Sequence, residues 1–442
     1  MLLRNFYYLC LLSVISPSTA APLPQWAQAP KVNELASLTL QESFSYAFGR
    51  SPSISQQAAQ MGIGDAQIRE AQSAWYPQVG LNANTGSSTQ NDIGNSLNNS
   101  ASYGLSLTQL VYDFGKTTNN IKQQEATSES YRYKLMATIT EVAEQTASAY
   151  VQVKRYEELT RVAQENILSL TSVRDMAKLR ASAGLSTSSD VLQAETRIAS
   201  MRSTLQDYQA QLQTAKSQLA VLTGVQAVSY QSLPTSLTQQ PVPLDNIDYS
   251  QIPTVLMAES QSQAASFGVD KAKSQYWPTV SLQGNRTRYE NDNSNYWNDQ
   301  LQLNMQAPLY QGGAVSSRIA QAEGVRKIST STIEQAKLDV LQKASVAFAN
   351  WNGARGREDA SAQQYLSARN TRDVYKNEYK LSTRSLNDLL SVEQDVFQAE
   401  YSKIAANFDG WAAAINYASA VNNIMPLAGV ALSEPNGLPE LK

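Results

Sequence analysis

The chain carries one unusual stretch twice. Ala71-Gln72-Ser73-Ala74-Trp75-Tyr76-Pro77-Gln78-Val79-Gly80-Leu81 returns as Ala272-Lys273-Ser274-Gln275-Tyr276-Trp277-Pro278-Thr279-Val280-Ser281-Leu282. Each copy is the tail of a helical pattern, an aromatic pair, a proline that stops the helix, and an alternating run that reads as a strand. A polar loop, a second alternating strand and a long helical stretch follow both copies. Duplication on this scale builds two copies of one unit into a single architecture, not a string of unrelated domains.

Strands are predicted at about 78–88 and 101–110, and again at about 279–288 and 297–307. Val79, Leu81 and Ala83 alternate with Gln78, Gly80, Asn82 and Asn84; Trp297, Leu301, Leu303 and Met305 alternate with Asn298, Gln300, Gln302 and Asn304. A period of two with one apolar and one polar face means that the sheet meets different surroundings on its two sides. Ser87 to Ser100 and Tyr289 to Tyr296 read as polar loops. The second strands end at related turns, Tyr112-Asp113-Phe114-Gly115 and Tyr310-Gln311-Gly312-Gly313, whose tyrosines lie 198 residues apart.

Long helical hairpins are predicted at 116–224 and 314–424. Lys116 to Ala183 contains neither proline nor glycine. Leu135, Val142, Ala149, Tyr156, Ala163 and Leu170 recur at heptad spacing, with Ile139, Val153 and Ile167 between them, which marks a coiled-coil seam. At 1.5 Å per residue that segment is roughly 100 Å long. Breaks fall at Gly184-Leu185-Ser186-Thr187 and at Ser382-Thr383-Arg384, and Asp190 and Asp388 lie 198 residues apart just beyond them. Repeat 1 therefore spans 38–224 and repeat 2 spans 254–424. A leader at 21–37 and a tail at 425–442 read as extended, 225–253 reads as the linker between repeats, and Thr39 or Ser37 caps the first helix, which is interrupted near Ser51-Pro52.

Residues 1–20 read as a secretory signal: Arg4, the apolar run Phe6 to Ile15, then small residues around a cleavage point after Ala20. The whole chain has no histidine, and Cys10, its one cysteine, lies inside that signal. The exported chain would lack disulfides, thiol nucleophiles, imidazole bases and most zinc chemistry. No catalytic set, cofactor motif or metal cluster is predicted. With 35 basic and 38 acidic residues, no nucleic-acid surface is predicted either. Past the signal, no run is long and apolar enough for a membrane helix, so the chain can cross a membrane only as a closed β-barrel. Four strands cannot close alone. Two copies give eight strands and a filled bore, whereas three give twelve and leave a lumen.

The repeat, the aromatic-proline entry to each first strand and the two turns together resemble the TolC family of outer-membrane channel proteins, from Leu38 to Ile424. The stretch Tyr379-Lys380-Leu381-Ser382-Thr383-Arg384-Ser385-Leu386-Asn387-Asp388-Leu389-Leu390 resembles that family's periplasmic tip. The resemblance implies a mainly α protein with a membrane β-barrel: two tandem repeats of helix–strand–strand–long helix–helix, forming a homotrimeric 12-stranded barrel continued by an α-helical periplasmic tunnel. It implies a passive, non-enzymatic duct in the outer membrane that docks on a periplasmic adaptor and an inner-membrane transporter. The wording of the turns leans toward the type I secretion branch, with an ABC-type transporter, over drug efflux.

Within the tip, Tyr379, Arg384 and Asp388 match the family pattern. Its glycine position is Ser382 here and its second acidic position is Ser391, so an acidic constriction would be a single ring of Asp388. Alternatively, Asp388 and its counterpart Asp190 are first-turn carboxylates that favour the helix dipole. Arg384 either restrains the closed tips or is a solvated turn residue, and Tyr379 either packs or hydrogen-bonds. Gly184, Asp190, Ser382 and Thr383 mark the tips for adaptor docking. Asn298, Gln300, Gln302 and Asn304 are expected to line the barrel lumen. Trp75 with Pro77 and Trp277 with Pro278 are expected at the barrel–tunnel junction, with Trp297 and Tyr103 in an outer aromatic girdle. The rival of another class is a secreted coiled-coil structural or adhesive protein, which would leave the apolar strand faces in water.

Overall fold

The computed structural model describes residues 32–89, 97–234, 243–291 and 294–427. The signal and most of the leader and tail lie outside them. Strand β1 (Asn33–Leu38) precedes helices α1 (Leu40–Arg50) and α2 (Pro52–Ser73), strands β2 (Gln78–Thr89) and β3 (Leu97–Tyr112), and helices α3 (Lys116–Ser182) and α4 (Ser188–Thr223). Strand β4 (Val225–Tyr230) opens the passage to α5 (Pro253–Ser274), β5 (Thr279–Asn291), β6 (Ser294–Gln306), α6 (Ala314–Lys380), α7 (Leu386–Ala420) and the short α8 (Ile424–Leu427). Among the described residues no helix is long and apolar enough to cross a membrane.

Local chemistry sets the element ends. Thr39 caps α1 in a reciprocal box, its hydroxyl accepting from the Glu42 amide at 3.1 Å and its own amide donating to the Glu42 carboxylate at 2.9 Å. Ser51 caps α2, and Pro52 occupies the first helical position, where its missing N–H costs nothing. Buried Asp113 accepts from the amides of Gly115 and Thr117 and so holds the first turn of α3.

Helices α3 and α6 are 67 residues each. The predicted seam is buried along α3: Leu135, Ile139, Val142, Ala149, Val153, Ala163 and Leu170 all face other elements. Midway along α3 the main core gathers Leu38, Phe44, Tyr150, Leu219 and Ile415. Here β1 and β4 pair in parallel, from Asn33 opposite Val225 to Leu38 opposite Tyr230. The Tyr150 hydroxyl lies 2.9 Å from the Leu38 carbonyl oxygen and 2.8 Å from that of Gln231, tying both strand ends to α3.

The described end of the leader (21–37) is extended, as strand β1 paired with β4, while the linker and tail carry more structure than predicted. The linker (225–253) opens with β4 and closes with 3-10 turns at Leu244–Asn246 and Tyr249–Gln251. The tail (425–442) begins inside α8. The strands of the main sheet are also longer than predicted: Tyr289 and Tyr296, read as loop, pair with each other and stack at 5.3 Å. Polar residues at the open end of a hairpin still join its ladder, so polarity alone misread them.

The second sheet has the order β2-β3-β5-β6, antiparallel at every pairing. A register shift falls between Leu110 and Tyr112 where β3 meets β5. Strands β2 and β6 are its two edges. All four strands meet helices at one end, so the hairpin connections lie at the other.

Candidate functional site

The sheet presents two unlike faces. Val79 pairs with Leu107 and Leu81 with Leu105; across β5, Leu282 pairs with Leu303 and Val280 with Met305. These side chains share one face and are largely exposed, Leu81 at 74% and Leu303 at 68%. An exposed aliphatic band on a sheet face needs lipid or another protein against it. Asn298, Gln300, Gln302 and Asn304 all lie on the opposite face, across from Thr287, Asn285, Gln283 and Ser281. There Gln300 donates to Gln302 at 2.9 Å and Gln302 to Gln283 at 3.1 Å. Asn82 donates to Ser106 at 3.1 Å, extending the polar net across β2 and β3. Uncharged amides satisfied by one another form a wettable wall that holds no ion tightly.

The band is staggered. In β2 and β3 it runs from the Val79–Leu107 row toward the hairpin connection, through Ala83 and Tyr103. In β5 and β6 it runs from the Gly284–Leu301 row toward the helices. A horizontal membrane slab crossing tilted strands gives this offset.

At the junction, Trp75 and Trp277 precede Pro77 and Pro278, which end α2 and α5. Trp277 stacks on Phe114 with ring centroids 5.6 Å apart, and Phe114 meets Tyr112 edge-on at 4.7 Å. That stacking holds Phe114 at φ 56, a left-handed conformation that the second copy gives to Gly312 at φ 59. Lys116 donates to the Trp277 carbonyl at 2.9 Å, and Gln109 to that of Trp75 at 2.8 Å. Trp277 stays 57% exposed in one chain, so the junction also has apolar surface to offer a neighbour. At the other end, Tyr103 and Trp297 meet edge-on at 6.4 Å on the apolar face.

The two hairpin tips are built alike. The Leu185 amide donates to the Arg180 carbonyl and the Thr383 amide to the Glu378 carbonyl, each closing a helix over a left-handed residue, Gly184 at φ 71 and Ser382 at φ 64. Ser385 caps α7 by accepting from the Asp388 amide at 3.2 Å, placing Asp388 in the first turn. Asp190 holds the same place in α4. The Asp388 carboxylate forms no hydrogen bond or ion pair among the described residues, which leaves its charge available to whatever faces the tip.

Arg384 is engaged within its own hairpin: its Nε donates to Glu378 at 2.9 Å and its guanidinium lies 4.2 Å from the Tyr375 ring. The Glu378 hydrogen bond raises its already high pKa further. Tyr379 packs, 2% exposed, in a cluster with Leu170, Val173 and Leu389, and among the described residues its hydroxyl makes no hydrogen bond. Burial pushes its phenol up, with the Arg180 guanidinium pulling the other way.

The link between hairpins comes from a residue that sequence reasoning passed over. Arg180, in the last turn of α3, donates to the Tyr379 carbonyl at 2.5 Å and to the Ser382 hydroxyl at 2.9 Å, with its guanidinium 4.6 Å from the Tyr379 ring. A basic residue in a last helical turn reads as a dipole complement. Its spacing before Gly184 is the one signal that could have marked it.

The family model of the outer membrane efflux protein matches residues 44–225 and 250–421. The outer membrane protein TolC of Escherichia coli is 24% identical over 397 residues, covering 84% of this chain and 80% of that protein. The outer membrane efflux protein BepC of Brucella suis is 22% identical over 389 residues, covering 84% and 82%. The CusC crystal structure superposes with a TM-score of 0.78 at 18% identity, covering 90% of this chain and 95% of that one, and shares the fold. The two-faced sheet, the helical hairpins and the family match agree: the chain belongs to the outer membrane efflux protein family, as a TolC-like channel protein of the outer membrane.

Proposed function

We propose that three copies join their sheets edge to edge into a twelve-stranded barrel, and that the helices beneath form the passive duct of a tripartite exporter. The observation that carries this reading is the four-stranded sheet with free edges β2 and β6 and an exposed aliphatic face. Because β2 leads away from the helices and β6 returns to them, β6 of one copy meets β2 of the next antiparallel. Closure removes every edge, as a bilayer requires.

In this reading Asn298, Gln300, Gln302 and Asn304 line the lumen, and a threefold set of Asp388 narrows the periplasmic entrance. Arg180 holds the two tips of each copy together through Tyr379 and Ser382. A periplasmic adaptor engages the tips around Gly184, Asp190, Ser382 and Thr383, and an ABC-type inner-membrane transporter supplies the energy. The passenger is a protein, a type I secretion substrate, in line with the Tyr112-Asp113-Phe114-Gly115 turn. BepC is an outer membrane efflux protein, which favours a second reading, in which this chain serves drug or small-molecule efflux.

Single-channel recording in planar bilayers tests the duct. Wild type should give a small, cation-selective conductance, Asp388→Asn should lower that selectivity, and Arg180→Ala should raise conductance several-fold by freeing the tips. Unchanged selectivity in Asp388→Asn would leave Asp388 a first-turn carboxylate. A folded trimer without channels would sink the duct itself. Cells lacking the chain separate the passengers: a missing secreted protein supports the first, new drug sensitivity with normal secretion the second.

A further inference from the structure

On the lipid side of β5 and β6, toward the hairpin connections, lies a cluster that the duct does not use. Arg286 pairs across the ladders with Leu105 and Asp299, and Arg288 with Tyr103 and Trp297, so both arginines share the face of Leu81 and Leu303. Ionised groups on a lipid face are tolerated near the headgroups and not at mid-bilayer. Their level on the tilted strand β5 is therefore the outer-leaflet interface, beyond the aliphatic rows of β5 and β6.

The two guanidinium groups flank one indole, Arg286 at 5.0 Å and Arg288 at 5.6 Å from the Trp297 ring. Each is tethered to a carboxylate through Nε, Arg286 to Asp299 at 3.5 Å and Arg288 to Glu290 at 3.4 Å. Tyr103 donates to the same Glu290 oxygen at 3.3 Å and holds it in place. Among the described residues, the terminal nitrogens of both arginines make no hydrogen bond, and Arg286 is 64% exposed. Two adjacent guanidinium forks with free outer donors match the geometry of phosphate recognition. The acidic partners keep the empty cluster neutral.

We infer that Arg286 and Arg288, braced on Trp297, bind the phosphorylated headgroup of an outer-leaflet glycolipid, one per chain. The inference rests on the barrel reading, which makes this face the lipid face. At that height the abundant anionic group is a lipid phosphate, so the site is assigned to lipid and not to free phosphate. Glu290 and Asp299 would release their hold on the Nε atoms little or not at all, because the phosphate takes the opposite side of each fork.

Native mass spectrometry of the purified trimer, titrated with diphosphorylated lipid A and with the same lipid dephosphorylated, tests it. Wild type should retain up to three diphosphorylated molecules per trimer, and the dephosphorylated lipid should bind at least ten-fold more weakly. Arg286→Gln/Arg288→Gln should lose the same ten-fold; if that variant does not assemble, Arg286→Gln alone should lose part of it. Equal retention of the two lipids, or an unchanged variant, would overturn the site, and displacement by millimolar inorganic phosphate would overturn its assignment to lipid. Channel recordings on the same preparations keep the readings apart: trimeric channels without phosphate-dependent binding end this inference alone, whereas wild type without trimers ends the barrel.

Discussion

Glu393 sits where α7 packs on α3, 1% exposed, with one carboxylate oxygen accepting from Ser169 at 2.8 Å and the other without a partner among the described residues. Burial pushes its carboxyl up, only partly offset by the Ser169 hydrogen bond and by Arg372 and Lys376 on α6, while Asp373 on the same helix adds to the rise. A folded-state pKa above the unfolded one means the folded state binds more protons. The stability this gives is full below the usual carboxylate range, about pH 4.3, and is lost as pH rises through the raised value. Packing at the lower end of the hairpins should thus be tighter at pH 5 than at pH 8. Glu393→Gln should remove that slope, since an amide carries no titratable charge. Hydrogen exchange of residues 389–396 measured across that pH range decides it; an equal slope in the variant would end the argument. Glu393 carried no mark in the sequence and Arg180 only its spacing before Gly184, because a charged residue in a long helix ordinarily faces water. Asp388 and Ser382 were legible because they sit at a break in the pattern.

At the scale of elements, the long helices were readable because a heptad seam is a local signal repeated many times along α3. The strands of the main sheet were readable for the same reason, since alternation is written residue by residue. The β1–β4 pair was not. Its strands are six residues each and lie far apart in the chain, and parallel pairing leaves no turn between them to mark it. What holds the pair is tertiary: the Tyr150 hydroxyl against the carbonyls of Leu38 and Gln231. Burial raises the phenol well above its ordinary value, so it stays protonated and able to donate at any working pH. Tyr150→Phe keeps the ring in the core but removes the hydroxyl that bridges the two carbonyls; the Leu38 oxygen keeps the Gln231 amide as a donor, so the cost is about 0.5–1.5 kcal/mol. Amide exchange should then quicken in 33–38 and 225–230 while the flanking turns of α3 remain protected. Uniform loosening of α3 instead would mean that the ring, and not the hydroxyl, secures this region.

For the molecule as a whole, the decisive property is that one chain is incomplete: it exposes an aliphatic sheet face and leaves two strand edges open. Neighbouring residues on β6 give the cleanest test of how assembly completes it. Leu303 and Gln302 are adjacent, yet the pleat sends them to opposite faces, one among aliphatics and one into the amide net. In the proposed barrel Leu303→Arg places a charge toward the bilayer interior, at about 2–4 kcal/mol per chain, and three copies incur it together. It should abolish the heat-modifiable trimer in outer-membrane fractions. Gln302→Arg places the same charge in water, so the trimer should form normally while its channels shift toward anions. A sheet in an aqueous adhesive protein would tolerate both changes, because both faces would be wet. The reverse pattern, Leu303→Arg assembling and Gln302→Arg failing, would turn the barrel inside out and move the amide face into the contact between copies.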